Sequence, residues 1–196
     1  MLSQNPAVQE KLFEEVEAAL PDEDDVPTFD TLSPQKMPFL NGVIYESLRL
    51  HPPVPMNVKM NTKEDVLPDG TKVPAGSWIA YNSWGMGRDP ERYESPDEMR
   101  PERWIPWKQP DPYEFPVFQA GPRVCLGKDM ALFEAKLLTA MLVRRFRFVM
   151  DPVESAKVTY SMMMTMSICN DKGLPEDQPR SHNLWMVPKR RTSTNE

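Results

Sequence analysis

The sequence predicts an α+β chain, mainly helical, with small β-sheets built from short strands. Three observations lead there. Apolar residues recur at three- and four-residue spacing in three separate stretches. Between and after these stretches lie short runs that read as strands, one of them folded about Asp69-Gly70. Finally, 22 prolines are spread along 196 residues, about twice the usual share of roughly 5%, which suggests many turns rather than disorder.

The totals narrow the function classes. A chain of this length can bury a core and fold as one domain. The net charge is −6 and no long basic run precedes the end, so nucleic acid is not suggested. Lys189, Arg190 and Arg191 read as a short solvated basic tail. Two cysteines, Cys125 and Cys169, give no disulfide framework, although one bridge between them stays open. No stretch approaches the roughly 20 apolar residues of a membrane span, no signal peptide is expected, and no internal repeat is found.

The first helix is expected over Pro6–Ala19. Asn5 stands at the N-cap, Pro6 at the first helical position, and Val8, Leu12, Val16 and Leu20 form the stripe. Pro21 to Pro27 is an acidic connection. The second helix spans Pro38–Leu50, with Leu40, Val43, Ile44 and Leu48 on one face. Glu46 and Arg49 share a face at i and i+3. His51, at the helix end beside Pro52 and Pro53, reads as a cap or a surface residue. Val54 to Met60 reads as a strand, Val66 to Val73 as a hairpin, and Ser77 to Tyr81 as a further strand. Gly85 and Gly87 lack the rest of a phosphate-loop pattern. Trp104 to Pro116 has no period and reads as an ordered meander. The third helix is expected over Lys128–Arg144, with Met130, Phe133, Leu137, Leu138, Met141 and Leu142 as its apolar set. Phe146 to Val149 alternates as a strand. Late strands are expected within Val158–Ile168, which holds Met162, Met163, Met164 and Met166, and over Leu184–Val187. Asn170 to Gly173 reads as a turn, and Pro175 to Asn183 as a polar insertion.

The stretch with the most chemistry is Phe118-Gln-Ala-Gly-Pro-Arg-Val-Cys-Leu-Gly127. Gly121 and Pro122 make a turn, and Cys125 sits just before a helix N-terminus, where the dipole and free N–H groups favour a thiolate. A soft thiolate is a good iron ligand and pushes electron density that favours O–O cleavage. Arg123 offers a planar fork suited to a carboxylate. Phe118 can cover the sulfur, and Gly127 leaves room for something bulky. The other reading of a lone cysteine is a small buried apolar residue.

Phe118, Gly121, Arg123, Cys125 and Gly127 resemble the cysteine-loop signature of the cytochrome P450 family, Phe-x-x-Gly-x-Arg-x-Cys-x-Gly. A chance match of five fixed types is on the order of 10⁻⁷ per window. Two further motifs occur in the family's order. Glu46-Ser-Leu-Arg49 resembles the Glu-x-x-Arg helix, and Pro101-Glu102-Arg103-Trp104 the later segment whose arginine joins that pair. The resemblance implies that Glu46, Arg49 and Arg103 form a buried structural triad that holds the cysteine loop. It also implies haem b with Cys125 as axial ligand to the iron, and electrons from NAD(P)H through a reductase. By the same resemblance Arg123 and Lys59 would meet haem propionates, though Lys59 also reads as a solvated strand lysine. Val54, Met56 and Val58 would line a substrate pocket. Lys128, Lys136, Arg144 and Arg145 would receive the reductase, unless they are ordinary surface charge. The late methionines would touch substrate or fill core.

The wording of Val66 to Ser77 and of Phe118 to Asp129 is most similar to the fatty-acid omega-hydroxylase branch, usually anchored in the endoplasmic reticulum membrane. The implied function is a haem-thiolate monooxygenase inserting one atom of O₂ into an apolar substrate. Complete family members are more than twice as long. Residues 1–196 are therefore expected to be the C-terminal, proximal part, without anchor or distal helix. No catalytic acid or base is assigned. The alternative is a truncated, non-catalytic piece or a haem-free interaction module.

Overall fold

The computed structural model describes residues 1–22, 24–150, 153, 158–162, 165–169 and 186–191. Among the described residues the α-helices are α1 Pro6–Ala19, α2 Pro38–Leu50, the one-turn α3 Ser83–Met86, and α4 Lys128–Arg145. The strands are β1 Asn57–Met60, β2 Asp65–Val66, β3 Lys72–Val73, β4 Trp78–Tyr81, β5 Phe146–Met150, β6 Thr159–Met162, β7 Met166–Cys169 and β8 Met186–Arg190. Among the described residues they pair as four two-stranded antiparallel ladders, β1–β4, β2–β3, β5–β8 and β6–β7. The chain is thus mixed helix and small antiparallel sheet. Asn170 to Gly173, Pro175 to Asn183, Met163 and Met164 lie outside the described residues.

The core lies between α1, α2 and α4. Leu12 and Val16 of α1, Leu40 and Val43 of α2, and Ala140 and Val143 of α4 are almost wholly excluded from water. Burial of such side chains contributes roughly 1.5–3 kcal/mol each. Two polar side chains tie these helices together from within. Gln9, on the inner face of α1, donates from Nε2 to the Phe148 carbonyl (3.0 Å) and accepts the Phe148 N–H at Oε1 (2.7 Å). It thereby acts as a short extra strand edge for β5. Glu15, also on α1, caps α2 from outside: its two oxygens accept the N–H groups of Phe39 and Leu40, each at 2.7 Å. Both groups belong to the first turn of α2, where no helical acceptor exists. Burial raises the Glu15 pKa, against the two backbone donors that lower it.

Several expectations are corrected. Asn5 stands at the N-cap of α1, but its side chain does not cap; Nδ2 turns back to the Met1 carbonyl at 3.0 Å. The strand expected from Val54 begins only at Asn57, because the segment after the two prolines is occupied by bends. The apolar set of α4 does not form one buried stripe. Its buried face is Lys136, Ala140 and Val143, while Met130, Leu138, Met141 and Leu142 are exposed. The apolar residues run round the helix, and α1 and α2 cover one side only. The basic end is exposed at Lys189 and Arg190, as expected, but it is ordered strand and not a loose tail. Lys189 and Arg190 belong to β8, and Arg191 pairs with Glu10 and lies 3.8 Å over the Phe13 ring.

Candidate functional site

Glu46 is the centre of a closed polar network. It is 0% exposed, as is Arg49. Its Oε1 accepts from Arg49 (2.7 Å), from Arg103 Nε (3.0 Å) and from the Arg100 backbone N–H (3.0 Å). Its Oε2 accepts from Arg49 Nε (2.9 Å) and from the Trp104 indole (3.0 Å). Arg49 spends its remaining N–H groups on the carbonyls of Gly87, Pro96 and Glu98, and its plane lies over Tyr93. Every guanidinium donor of Arg49 therefore has an acceptor, the condition under which a buried ion pair is tolerable. The i, i+3 spacing on α2 aligns Glu46 with Arg49, and the 3-10 turn Pro101–Trp104 brings Arg103 and Trp104 to them. Gly42 allows that approach, since a Cβ there would run into the Pro101 carbonyl. Spacing alone did not single out the indole and the Arg100 amide.

The network leads directly to the cysteine loop. Trp104 packs on Phe115 at 5.4 Å and on Tyr45 at 5.4 Å, and Tyr45 also meets Trp107 and Phe115. Burial, then the charge of Asp129, pushes the Tyr45 pKa up to about 12, so it stays a neutral phenol. Phe115 opens the 3-10 turn Pro116–Phe118, and the Phe118 carbonyl accepts the Cys125 N–H at 2.8 Å. A second 3-10 turn, Gly121–Arg123, lifts the chain over to Cys125; Gly121 has φ +67, a conformation that a side chain would strain. The Cys125 carbonyl then accepts the Lys128 N–H at 3.3 Å, and α4 begins.

Cys125 is a free thiol and exposed, so the bridge to Cys169 is not made. Val124 and Leu126 beside it are exposed, Leu126 entirely. A Cβ on Gly127 would meet nothing within 4 Å. Phe118 is half-buried, with the Lys128 ammonium 5.9 Å from its ring centre. Arg123 and Lys59 are exposed, and their side chains make no hydrogen bond or ion pair among the described residues. Lys59 shares a strand face with Asn57, whose side chain touches the loop at Gln119. Val54 is half-buried, while Met56 and Val58 are exposed. Val58 points to the opposite face of β1 from Asn57, and Met56 precedes the strand, so these three do not share a regular strand face.

The four cations expected to form one basic patch do not. Lys136 is 8% exposed on the buried side of α4, and burial lowers its pKa. Arg144 is held by Glu17 and by the carbonyls of Asp22 and Asp25. Lys128 and Arg145 alone remain for a partner. His51 is the C-cap of α2, half-buried, and borders a cleft of about 490 Å³. A second cleft of about 380 Å³ lies over Tyr93 and Trp104. Neither includes Cys125. Among the described residues no three His, Cys, Asp or Glu side chains cluster as a metal site, and no helix is long and apolar enough to cross a membrane.

The sequence model of the family described as cytochrome P450 matches residues 1–173. The chain is 37% identical to cytochrome P450 704C1 of Pinus taeda over 190 residues, 89% of this chain and 36% of that protein. It is 35% identical to cytochrome P450 94C1 of Arabidopsis thaliana over 182 residues, again 89% of this chain and 36% of that protein. A cytochrome P450 of Helianthus annuus is 46% identical over 113 residues, 55% of this chain and 72% of that protein. The chain spans about a third of the length of the first two relatives.

Proposed function

The chain belongs to the cytochrome P450 family, and we propose that it is the C-terminal, thiolate-bearing part of a haem-thiolate monooxygenase. The observation that carries the reading is Cys125: a free thiol at the tip of an anchored loop, facing open space between Val124, Leu126 and Gly127. The surroundings suit haem b. A flat apolar group would cover Val124 and Leu126, and the unpaired cations Arg123 and Lys59 would take its carboxylates. When bound, the haem iron supplies the activation of O₂, of which one atom enters an apolar substrate and the other leaves as water.

The chain's own residues then have separate tasks. Cys125 Sγ would ligate the iron, and Phe118 would limit water at the sulfur. The Glu46–Arg49–Arg103 network holds the loop and takes no proton in the reaction. Met56 and Val58 are exposed apolar residues that would meet substrate, together with half-buried Val54. NAD(P)H electrons would arrive through a reductase. A fatty acid, hydroxylated at its omega end, is the proposed substrate, on the resemblance of Val66 to Ser77 and of Phe118 to Asp129 to that branch of the family.

A second reading is favoured by one observation. Met130, Leu138, Met141 and Leu142 expose an apolar face on α4. Such a face calls for a covering segment. By this reading the 196-residue chain is a non-catalytic piece that needs a companion.

The test is the absorption spectrum of the chain with added haem, reduced under carbon monoxide. A Soret band at the red-shifted thiolate position, lost in Cys125→Ala, supports ligation by this chain alone. Its absence, with the band restored only when the missing part of the fold is supplied, supports the second reading.

A further inference from the structure

Gln119 has a backbone conformation that belongs to glycine. Its φ is +63° and its ψ 178°, a region that residues with a Cβ almost never occupy. It sits at the turning point between Phe118 and the loop that carries Cys125. Its side chain is held by two hydrogen bonds: the Tyr81 hydroxyl donates to Oε1 at 3.0 Å, and Nε2 donates to Asn57 Oδ1 at 2.6 Å. Asn57 and Tyr81 are direct partners across the β1–β4 ladder. One amide therefore grips both strands at a single rung, and Asn57 is 9% exposed at that rung. The adjacent carbonyl, that of Phe118, is the acceptor that fixes the Cys125 N–H at 2.8 Å.

A spacer residue at this place would be glycine, which has no Cβ to strain. The chain keeps glutamine there, and its amide is engaged at both ends. We propose that Gln119 is a positioning residue for Cys125: it clamps the cysteine loop to the Asn57–Tyr81 rung and so fixes the Phe118 carbonyl that orients the thiol. The clamp also ties the loop to β1, the strand that carries Lys59. This rests on the reading of Cys125 as the iron ligand. The role is geometric; Gln119 need not touch the haem or the substrate.

Glycine at this position separates backbone relief from loss of the clamp, because the first is read in thermal stability and the second in the reactivity of Cys125. Gln119→Gly relieves the backbone and removes the clamp. Two readouts are taken on the full chain. The first is the alkylation rate of Cys125 by iodoacetamide without haem, followed by mass mapping of the Cys125 peptide. The second is the share of the reduced carbon monoxide complex that shows the thiolate Soret band. Gln119→Gly is expected to keep or raise the thermal midpoint while changing the alkylation rate about three- to tenfold, the scale of one or two lost hydrogen bonds. The thiolate share falls in the same variant. Gln119→Glu restores both readouts, since a carboxylate accepts from Tyr81 and, after the Asn57 amide turns over, from Asn57 as well. An unchanged alkylation rate in Gln119→Gly overturns the proposal, whatever the haem does. A wild-type chain that shows no thiolate band even when the rest of a family member's fold is supplied, but shows the expected alkylation change, overturns the ligand reading and leaves the clamp as a purely structural device.

Discussion

Replacing Glu46 by glutamine tests the polar network by its weakest point. The substitution is nearly isosteric, so packing hardly changes. Its effect is to turn one acceptor oxygen into a donor NH₂. If the NH₂ takes the place of Oε2, it faces Arg49 Nε and the Trp104 indole, both donors. If it takes the place of Oε1, it faces donors from Arg49, Arg103 and the Arg100 backbone. At least two buried donors lose their acceptor in either orientation. Each stranded group costs about 1–3 kcal/mol, so the sum is about 2–6 kcal/mol. Arg49 also loses its counter-charge at a site with no solvent exposure, which pushes the value to the upper half. Against a total stability of about 5–15 kcal/mol, that is a large share. The assay is urea unfolding followed by tryptophan fluorescence. With an m-value of roughly 2 kcal/mol/M, a loss near 4 kcal/mol moves the midpoint down by about 2 M. A loss under about 1 kcal/mol would refute the closed-network account. Such a result would mean that water reaches Arg49.

Three further outcomes are expected. Burial, then Arg88, the chain's amino terminus and Arg49, lowers the His51 pKa from 6.5 to about 4. The unfolded chain therefore takes up a proton that the folded chain refuses, so this contribution is complete above pH 6.5 and is lost as pH falls towards 4. In urea melts at about pH 7.5 and about pH 5, His51→Asn should show a smaller drop than wild type. Glu15→Ala removes both external caps of α2 and should cost about 1–2 kcal/mol in thermal or urea melts; no loss would show that the α2 N–H groups find water instead. Lys136→Met keeps the stem and removes a desolvated ammonium with no partner among the described residues, so the melting temperature should hold or rise, and a loss above about 1 kcal/mol would count against that placement.

The helices were legible because proline marks their starts and apolar spacing marks their faces. Pro6 and Pro38 stand at the first positions of α1 and α2, as the sequence suggests. The hairpin at Asp69-Gly70 was legible for the same local reason. What escaped the sequence was held by distant partners. Nothing near Phe39 announces Glu15 as its cap, and nothing near Phe148 announces Gln9. The α4 face failed for another reason. Its apolar residues occur on all sides, and periodicity cannot say which side the rest of this chain covers. The basic patch failed because charge in sequence says nothing of burial; Lys136 lies on the buried side of α4 and Arg144 is already engaged. At the site, the motif residues were legible by pattern, but Trp104, Tyr45, Phe115 and Gln119, which link them, were not.

That linkage explains how one loop can be stiff on one side and open on the other. Behind Cys125 the restraints form a continuous series. Glu46 holds the Trp104 indole, Trp104 packs on Phe115, Phe115 leads into the turn whose last carbonyl holds the Cys125 N–H. In front of it, Leu126 is wholly exposed and Val124 half so, and among the described residues a Cβ on Gly127 would meet nothing within 4 Å. A ligand thiolate needs both conditions. If the loop were held only by its own turns, the sulfur would drift by more than a metal–ligand bond tolerates. If it were buried in protein, no cofactor plane could reach it. On the proposed reading of Cys125 as iron ligand, the polar network on α2 is best understood by what it supports through Trp104 and Phe115, the turn whose carbonyl holds the Cys125 N–H.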